Sequence, residues 1–302
     1  MQIFKRRVLI GKRTVVHRLT LAEILMQPYM KVSIYLLIAF LWSWINWFIG
    51  LHYLSTGIND KTINQFVTFF FIGVYGPSLS AIITTLYFSG FFGLVDLLKK
   101  LTIWKVSPKN YLIIIFLPQA CLASAVGLYS FFIGNDGGFD SHSHAIVAIP
   151  SILWVTLLMG PLGEELGWRG FLLPELQNRF SAFTSSLIIG VIWYCWHIPL
   201  FFAPFGALVS GATLSFLPLL FYLGFVICLS CIYTWLVNQS KGSVLISLLF
   251  HLFINAGIAL LFFPELKDYA KELYYLSIPA FFLFTVYLGV TTKFKQKTSA
   301  NK

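Results

Sequence analysis

The stretch Ile149–Leu172 reads IPSILWVTLLMGPLGEELGWRGFL. Its first eleven residues carry no charge, and its second half brings in Glu164, Glu165 and Arg169. A charge inside a bilayer costs several kcal/mol. The fold therefore turns on one question: does this stretch leave the membrane at Gly160, or does it carry its charges inward?

The rest of the chain supplies the context. Of its 302 residues, 58% are hydrophobic and 11% are charged, and the mean hydropathy is +0.81. A soluble domain carries about a quarter charged residues. The composition predicts an all-α polytopic membrane protein, a single transmembrane domain over residues 1–302. A spanning helix needs about 20 apolar residues. Eight such segments are read: 32–50, 66–89, 111–133, 147–172, 183–203, 214–238, 243–263 and 274–292. The fourth contains the opening stretch. The basic run FKRRVLIGKRTVVHR precedes the first span, which has no small-residue cleavage site after it, so no cleavable signal peptide is read. The connection 90–110 is amphipathic and basic, and reads as a membrane-surface anchor.

Lys and Arg placement sets the orientation. With the N- and C-termini cytoplasmic, eighteen basic residues fall on the inner side, and only Lys61, Lys267 and Lys271 fall outside. The net charge of +10 is then topology together with attraction to anionic membrane lipids, not nucleic-acid binding. A cell-membrane, multi-pass location follows. The cysteines Cys121, Cys195, Cys228 and Cys231 all fall in apolar runs and read as small buried hydrophobes.

Ionisable residues are confined to three of the eight spans. His197 lies in the fifth, His251 in the seventh, and Glu164, Glu165 and Arg169 in the fourth if it continues past Gly160. Intramembrane ionisable groups face the protein interior and mark functional sites. Depth favours continuation. His197 sits about 21 Å into its helix and His251 about 12 Å from the inner end of its own, at ~1.5 Å per residue. A fourth helix running to about Leu172, with Pro174 closing it, puts Glu164 about 12 Å deep. Gly160, Pro161 and Gly163 are candidate kink positions in it.

Helical spacing then assigns partners. Glu165 and Arg169 are four apart and share a face, so each lessens the cost of burying the other. Glu164 is rotated by about 100° and is left as the general base. His251 and Asn255 repeat the four-residue spacing, and so do Trp193 and His197. Taken alone, the Glu165–Arg169 pair reads as structural, each histidine as a polar packing residue, and Trp193 as packing support. Taken together, a carboxylate with two histidines and an amide can activate water and stabilise an oxyanion. The same donors, Glu164, His197 and His251, can also ligate a divalent metal such as zinc.

At these residues the sequence resembles the CAAX protease and bacteriocin-processing family of intramembrane endopeptidases, also called Abi or CPBP. Its ordered motifs EExxxR, FxxxH and HxxxN read here as EELGWR (164–169), WYCWH (193–197) and HLFIN (251–255). The resemblance covers residues 145–260, a catalytic core inside the single domain. Trp193 stands where the family usually has Phe, an aromatic exchange that leaves the chemistry intact. The resemblance implies hydrolysis of a peptide bond in a membrane-associated or lipid-modified substrate. Glu164, helped by His197, would activate water; His251 and Asn255 would hold the oxyanion; Glu165 and Arg169 would support the geometry. It leaves metal dependence open, although the zinc signature HExxH is absent.

Two other readings use the same residues. One is a non-catalytic bacteriocin-immunity or envelope-regulating membrane protein, which would keep its phenotype in a Glu164→Gln variant. The other is a proton-coupled transporter, which would show inverted repeats that this sequence lacks. Substrate identity and oligomeric state are not written in the sequence.

Overall fold

The computed structural model describes residues 5–10, 13–18, 21–133, 143–203, 214–261, 270–292 and 294. A short antiparallel hairpin, β1 (Lys5–Ile10) and β2 (Arg13–Arg18), pairs Lys5 with Arg18 and Ile10 with Arg13. Among the described residues every element after it is helical: α1 (Leu21–Ser55), α2 (Asp60–Val74), α3 (Gly76–Lys99), α4 (Pro108–Ile133) and α5 (Ser143–Leu158) come first. Then follow α6 (Pro161–Glu165), a π-helical turn Leu166–Leu172, α7 (Leu173–Gln177), α8 (Ala182–Trp196), α9 (Phe216–Gln239), α10 (Val244–Leu261) and α11 (Ala270–Thr292). The expected all-α membrane architecture is what the chain forms, apart from the hairpin, which the basic N-terminal run did not announce.

Among the described residues six stretches are long and apolar enough to cross a membrane: Tyr29–Ser55, Asp60–Thr102, Pro108–Phe132, Ala182–Phe202, Phe216–Gln239 and Glu272–Thr292. The remaining two expected spans are present as the shorter helices α5 and α10. The aromatic faces of these helices point outward, as at Tyr87, Phe91, Phe131 and Phe132, each more than two-thirds exposed. In a membrane protein such a surface meets lipid.

Local signals fix the ends. Asn59 caps α2 in a reciprocal capping box with Thr62. Ser181 accepts the Thr184 N–H at the start of α8. The backbone of α3 turns at Gly90, whose φ of 66° only glycine adopts without strain. The helix therefore changes direction before its basic end.

The fourth expected span is not one continuous helix. The chain breaks at Gly160, where φ is −163° and ψ −70°, before α6 begins at Pro161. Helical structure also runs past Pro174 as far as Gln177 instead of stopping there. Proline has no N–H and removes the usual donor for the carbonyl four residues back. That carbonyl is Gly170 O, and it is served by the ammonium of Lys100 at 2.6 Å. The wide π turn between Glu165 and Leu173 absorbs the misfit.

Gly163 seats this broken helix against the last residue of α2, and Gly167 seats it against the first turn of α3. A Cβ on Gly163 would lie 2.6 Å from Val74 O, and one on Gly167 would lie 2.5 Å from Pro77 O. The sequence GEELG is thus a close-approach G-x-x-x-G face. Its other side meets α10.

Around this centre α1 packs on α2 and α3, α4 on α10 and α11, and α9 on α8 and α11. Polar ties cross the bundle: Ser80 donates to Tyr35 O at 2.5 Å, Trp44 to Trp196 O at 3.0 Å, and Gln119 to Phe253 O at 3.1 Å. At one end, Lys31 pairs with Glu175, the Arg179 guanidinium lies 3.6 Å above the Tyr29 ring, and Asn110 donates to Ser240. The basic connections are therefore gathered at a single end. Lys267 and the tail lysines Lys293, Lys295, Lys297 and Lys302 lie outside the described residues. Cys121, Cys228 and Cys231 are buried free thiols, as the apolar runs around them predicted.

Candidate active site

The three charged residues of the opening stretch are carried into the protein. Glu164, Glu165 and Arg169 are 4%, 0% and 1% exposed. Burying a lone carboxylate or guanidinium is prohibitive unless it is paired and hydrogen-bonded. Glu165 and Arg169 are paired with each other, and Glu164 is hydrogen-bonded by two indoles.

Arg169 Nη1 donates to Glu165 Oε1 at 3.0 Å, the pair that the four-residue spacing predicted. The guanidinium also lies over two rings, 3.9 Å from the Tyr233 centroid and 4.6 Å from that of Trp193. A weakly hydrated planar cation suits that position better than a lysine would. The Tyr233 contact comes from α9, and no spacing rule in the sequence pointed to it.

Glu165 Oε1 has a second partner, His251 Nδ1 at 2.8 Å. A carboxylate only accepts, so Nδ1 carries the proton and Nε2 is the ring nitrogen left for other work. The two residues are 86 apart in sequence. Helical spacing could not pair them.

Glu164 is held differently. Its Oε2 accepts the indole N–H of Trp193 at 2.7 Å and that of Trp168 at 3.2 Å. Trp193 is therefore more than packing support. The expectation of an otherwise free Glu164 holds for one oxygen and fails for the other.

His197 ends α8 as its C-cap, after which the chain continues as a tight 3-10 turn, Ile198–Phe202. Its Nδ1 donates to Trp193 O at 2.8 Å, because a carbonyl only accepts. Nε2 of the neutral ring then keeps its lone pair. Aromatic rings surround it: Trp196, Tyr222, Trp193 and Trp47 have centroids 4.7, 5.6, 5.7 and 6.5 Å away.

Glu164, His197, His251 and Asn255 all line one cavity. Its other walls are apolar and aromatic, with Trp47 from α1, Phe70 from α2, Phe225 from α9 and Tyr274 from α11 among them. Gly160 locates the polar focus. A Cβ built on it would sit 3.1 Å from Asn255 Nδ2, 3.2 Å from His251 Nε2 and 3.4 Å from Glu164 Oε1. Three polar atoms from two helices therefore surround the space that this glycine leaves open. The sequence marked Gly160 only as a kink.

Glu164, His197 and His251 were also the candidate metal ligands. Among the described residues no group of three or more His, Cys, Asp or Glu side chains has an arrangement that could hold a metal ion. No step below is routed through a metal.

Residues 146–257 match the family model described as Type II CAAX prenyl endopeptidase Rce1-like. The matched segment is similar to that family's model over about 112 residues of the chain. It begins in α5 and ends in α10, and it contains all six of the residues Glu164, Glu165, Arg169, His197, His251 and Asn255. The CAAX prenyl protease 2 of Methanococcus maripaludis is 33% identical over 107 residues, which are 35% of this chain and 39% of that relative. The match thus spans about two-fifths of the relative's length. Trp47, Phe70 and Tyr274, which also line the cavity, come from outside the matched segment.

Proposed function

We propose that the chain is an intramembrane endopeptidase that hydrolyses a peptide bond of a membrane-associated or lipid-modified substrate. The observation that carries this reading is the convergence of Glu164 Oε1, His251 Nε2 and Asn255 Nδ2 beside Gly160, at the lining of one cavity. A base, an imidazole and an amide donor around one small volume are what water attack on a carbonyl requires.

In this reading the scissile carbonyl enters the cavity beside Gly160. Glu164 Oε1 takes a proton from water as the water oxygen bonds to the carbonyl carbon, and the neutral His197 assists as a second acceptor. The carbonyl oxygen becomes an oxyanion. Asn255 Nδ2 donates to it, and His251, held through Nδ1 by Glu165 Oε1, lines the same side of the site. Collapse of the tetrahedral intermediate breaks the C–N bond. The proton held on Glu164 passes to the leaving nitrogen, and the products are a carboxylic acid and an amine, which separate in water as a carboxylate and an ammonium. Arg169 keeps Glu165 ionised and in place.

The apolar cavity walls suit an apolar or lipid-bearing substrate in a membrane. The Methanococcus relative is named a prenyl protease, which makes a prenylated peptide the first substrate to try. A cell-membrane location with both termini on the cytoplasmic face follows from the gathering of the basic connections at one end of the bundle.

The test is cleavage of a peptide library, with prenylated members, by the protein purified in detergent. Glu164→Ala and His197→Ala are each expected to lose activity while the purified protein stays folded. If both variants cleave at the wild-type rate, the reading is wrong.

A further inference from the structure

We propose that Trp193 and Trp168 are positioning residues for the general base: their two indole N–H groups lock the Glu164 carboxylate so that one oxygen is spent and the other faces the reacting carbonyl. This rests on the hydrolase reading above for its kinetic part, and on geometry alone for its structural part.

Both indole bonds go to the same oxygen. Oε2 accepts Trp193 Nε1 at 2.7 Å and Trp168 Nε1 at 3.2 Å, while Oε1 faces the space above Gly160 together with His251 Nε2 and Asn255 Nδ2. A carboxylate on a glutamate turns readily about its last bond, since that torsion is broad. Two donors fixed on one oxygen remove that freedom. They also satisfy the buried oxygen that takes no part in the reaction, whose desolvation would otherwise go unmatched.

The donors are themselves immobile. Trp168 is fully buried and Trp193 nearly so, at 0% and 4% exposed. Trp168 stacks edge-on with Tyr35 and Trp196, and Trp193 with Tyr233 and His251. The Arg169 guanidinium also covers the Trp193 ring. The Trp193 main chain meanwhile holds His197 through its carbonyl. One residue thus orients both the base, by its side chain, and the assisting histidine, by its backbone. Of the charged or titratable groups around Glu164, Glu165, Arg169 and His251 are tied to one another through Glu165 Oε1, while His197, Tyr222 and Tyr233 line the same cavity and Tyr35 lies against the Trp168 ring. None of them takes over the task of holding Oε2.

An indole donates here where phenylalanine, an aromatic ring of similar packing, has nothing to donate. The distinction between packing and donation can be tested directly. 3-Benzothienylalanine at position 193 keeps the indole frame and puts sulfur in place of the N–H. Trp193→Phe serves as the second, simpler variant.

Activity on the best-cleaved peptide of the library is expected to fall about ten- to hundred-fold in kcat, the range for losing a hydrogen bond to a charged group. KM and the thermal midpoint should stay near wild type. An arm independent of cleavage is the indole 15N–1H spectrum of the protein in detergent, with Trp193 and Trp168 assigned by single substitution. In Glu164→Ala both of these signals should shift while the remaining indoles hold still. Unchanged kcat in the benzothienyl variant, or unmoved indole signals, overturns the proposal. Failure of the wild type to cleave any peptide overturns only the protease reading, and the indole arm then decides the matter alone.

Discussion

His251 and Arg169 share one acceptor: Glu165 Oε1 takes Nδ1 of the histidine at 2.8 Å and Nη1 of the arginine at 3.0 Å. The carboxylate is a bridge between the oxyanion side of the site and the cation that balances it. Glu165→Ala leaves Arg169 buried without its ion partner, and breaking a buried pair costs about 3–5 kcal/mol. The expected outcome is a large fall in the thermal midpoint together with loss of cleavage, read by a thermal unfolding assay in detergent. Glu165→Gln keeps an acceptor and should fall less in stability while remaining poorly active.

Gly160→Ala should separate folding from chemistry. Its Cβ would stand 3.1–3.4 Å from Asn255, His251 and Glu164, in the space assigned to the substrate. The protein is expected to stay folded, because the new methyl meets side-chain ends and a cavity, not a close-packed core. Cleavage should drop by at least about ten-fold, equivalent to about 1.4 kcal/mol of transition-state stabilisation. Wild-type kcat/KM in this variant would place the reacting carbonyl elsewhere.

Gly163 and Gly167 behave in the opposite way. Their substitution drives a side chain into the backbone of Val74 at the end of α2, or of Pro77 at the start of α3. Gly167→Val is expected to reduce the yield of folded protein and to lower the thermal midpoint, with overpacking costing about 1–3 kcal/mol or more. Folded recovery from the membrane, measured by size-exclusion chromatography, is the check.

Lys100 acts at a distance from the chemistry. Lys100→Met removes the donor to Gly170 O and leaves a carbonyl that Pro174 has already deprived of its usual partner. The expected loss is about 1–3 kcal/mol, the cost of an unsatisfied buried acceptor. Hydrogen exchange should quicken in residues 166–177 before it does in α9. Lys100→Arg, which keeps a donor, should recover most of the protection.

Much of this was legible in the sequence, for identifiable reasons. Charge is so costly in a bilayer that Glu164, Glu165, Arg169, His197 and His251 announced themselves by breaking otherwise uncharged runs. The four-residue spacing gave the Glu165–Arg169 pair because both lie on one helical stretch. What spacing cannot give is contact between helices. The bond from His251 to Glu165, the Trp193 bond to Glu164 and the Tyr233 ring beneath Arg169 all depend on how α6, α8, α9 and α10 are brought together. The helix break was half visible: glycine and proline at 160 and 161 marked a weak point. Continuation past Pro174 was not visible, since it depends on a lysine supplied by another helix.

That lysine has a consequence for how the protein assembles. Lys100 precedes Gly170 by 70 residues, and synthesis proceeds from the N-terminus. By the time Gly170 emerges, the ammonium that will take its orphaned carbonyl has already been made, at the end of α3. The same helix offers the groove for Gly167. The glutamate-bearing segment is thus delivered to a seat prepared by earlier chain, and α10, which completes the site with His251 and Asn255, arrives afterwards. The order of translation matches an order of docking in which the charged helix is sheltered first and armed last.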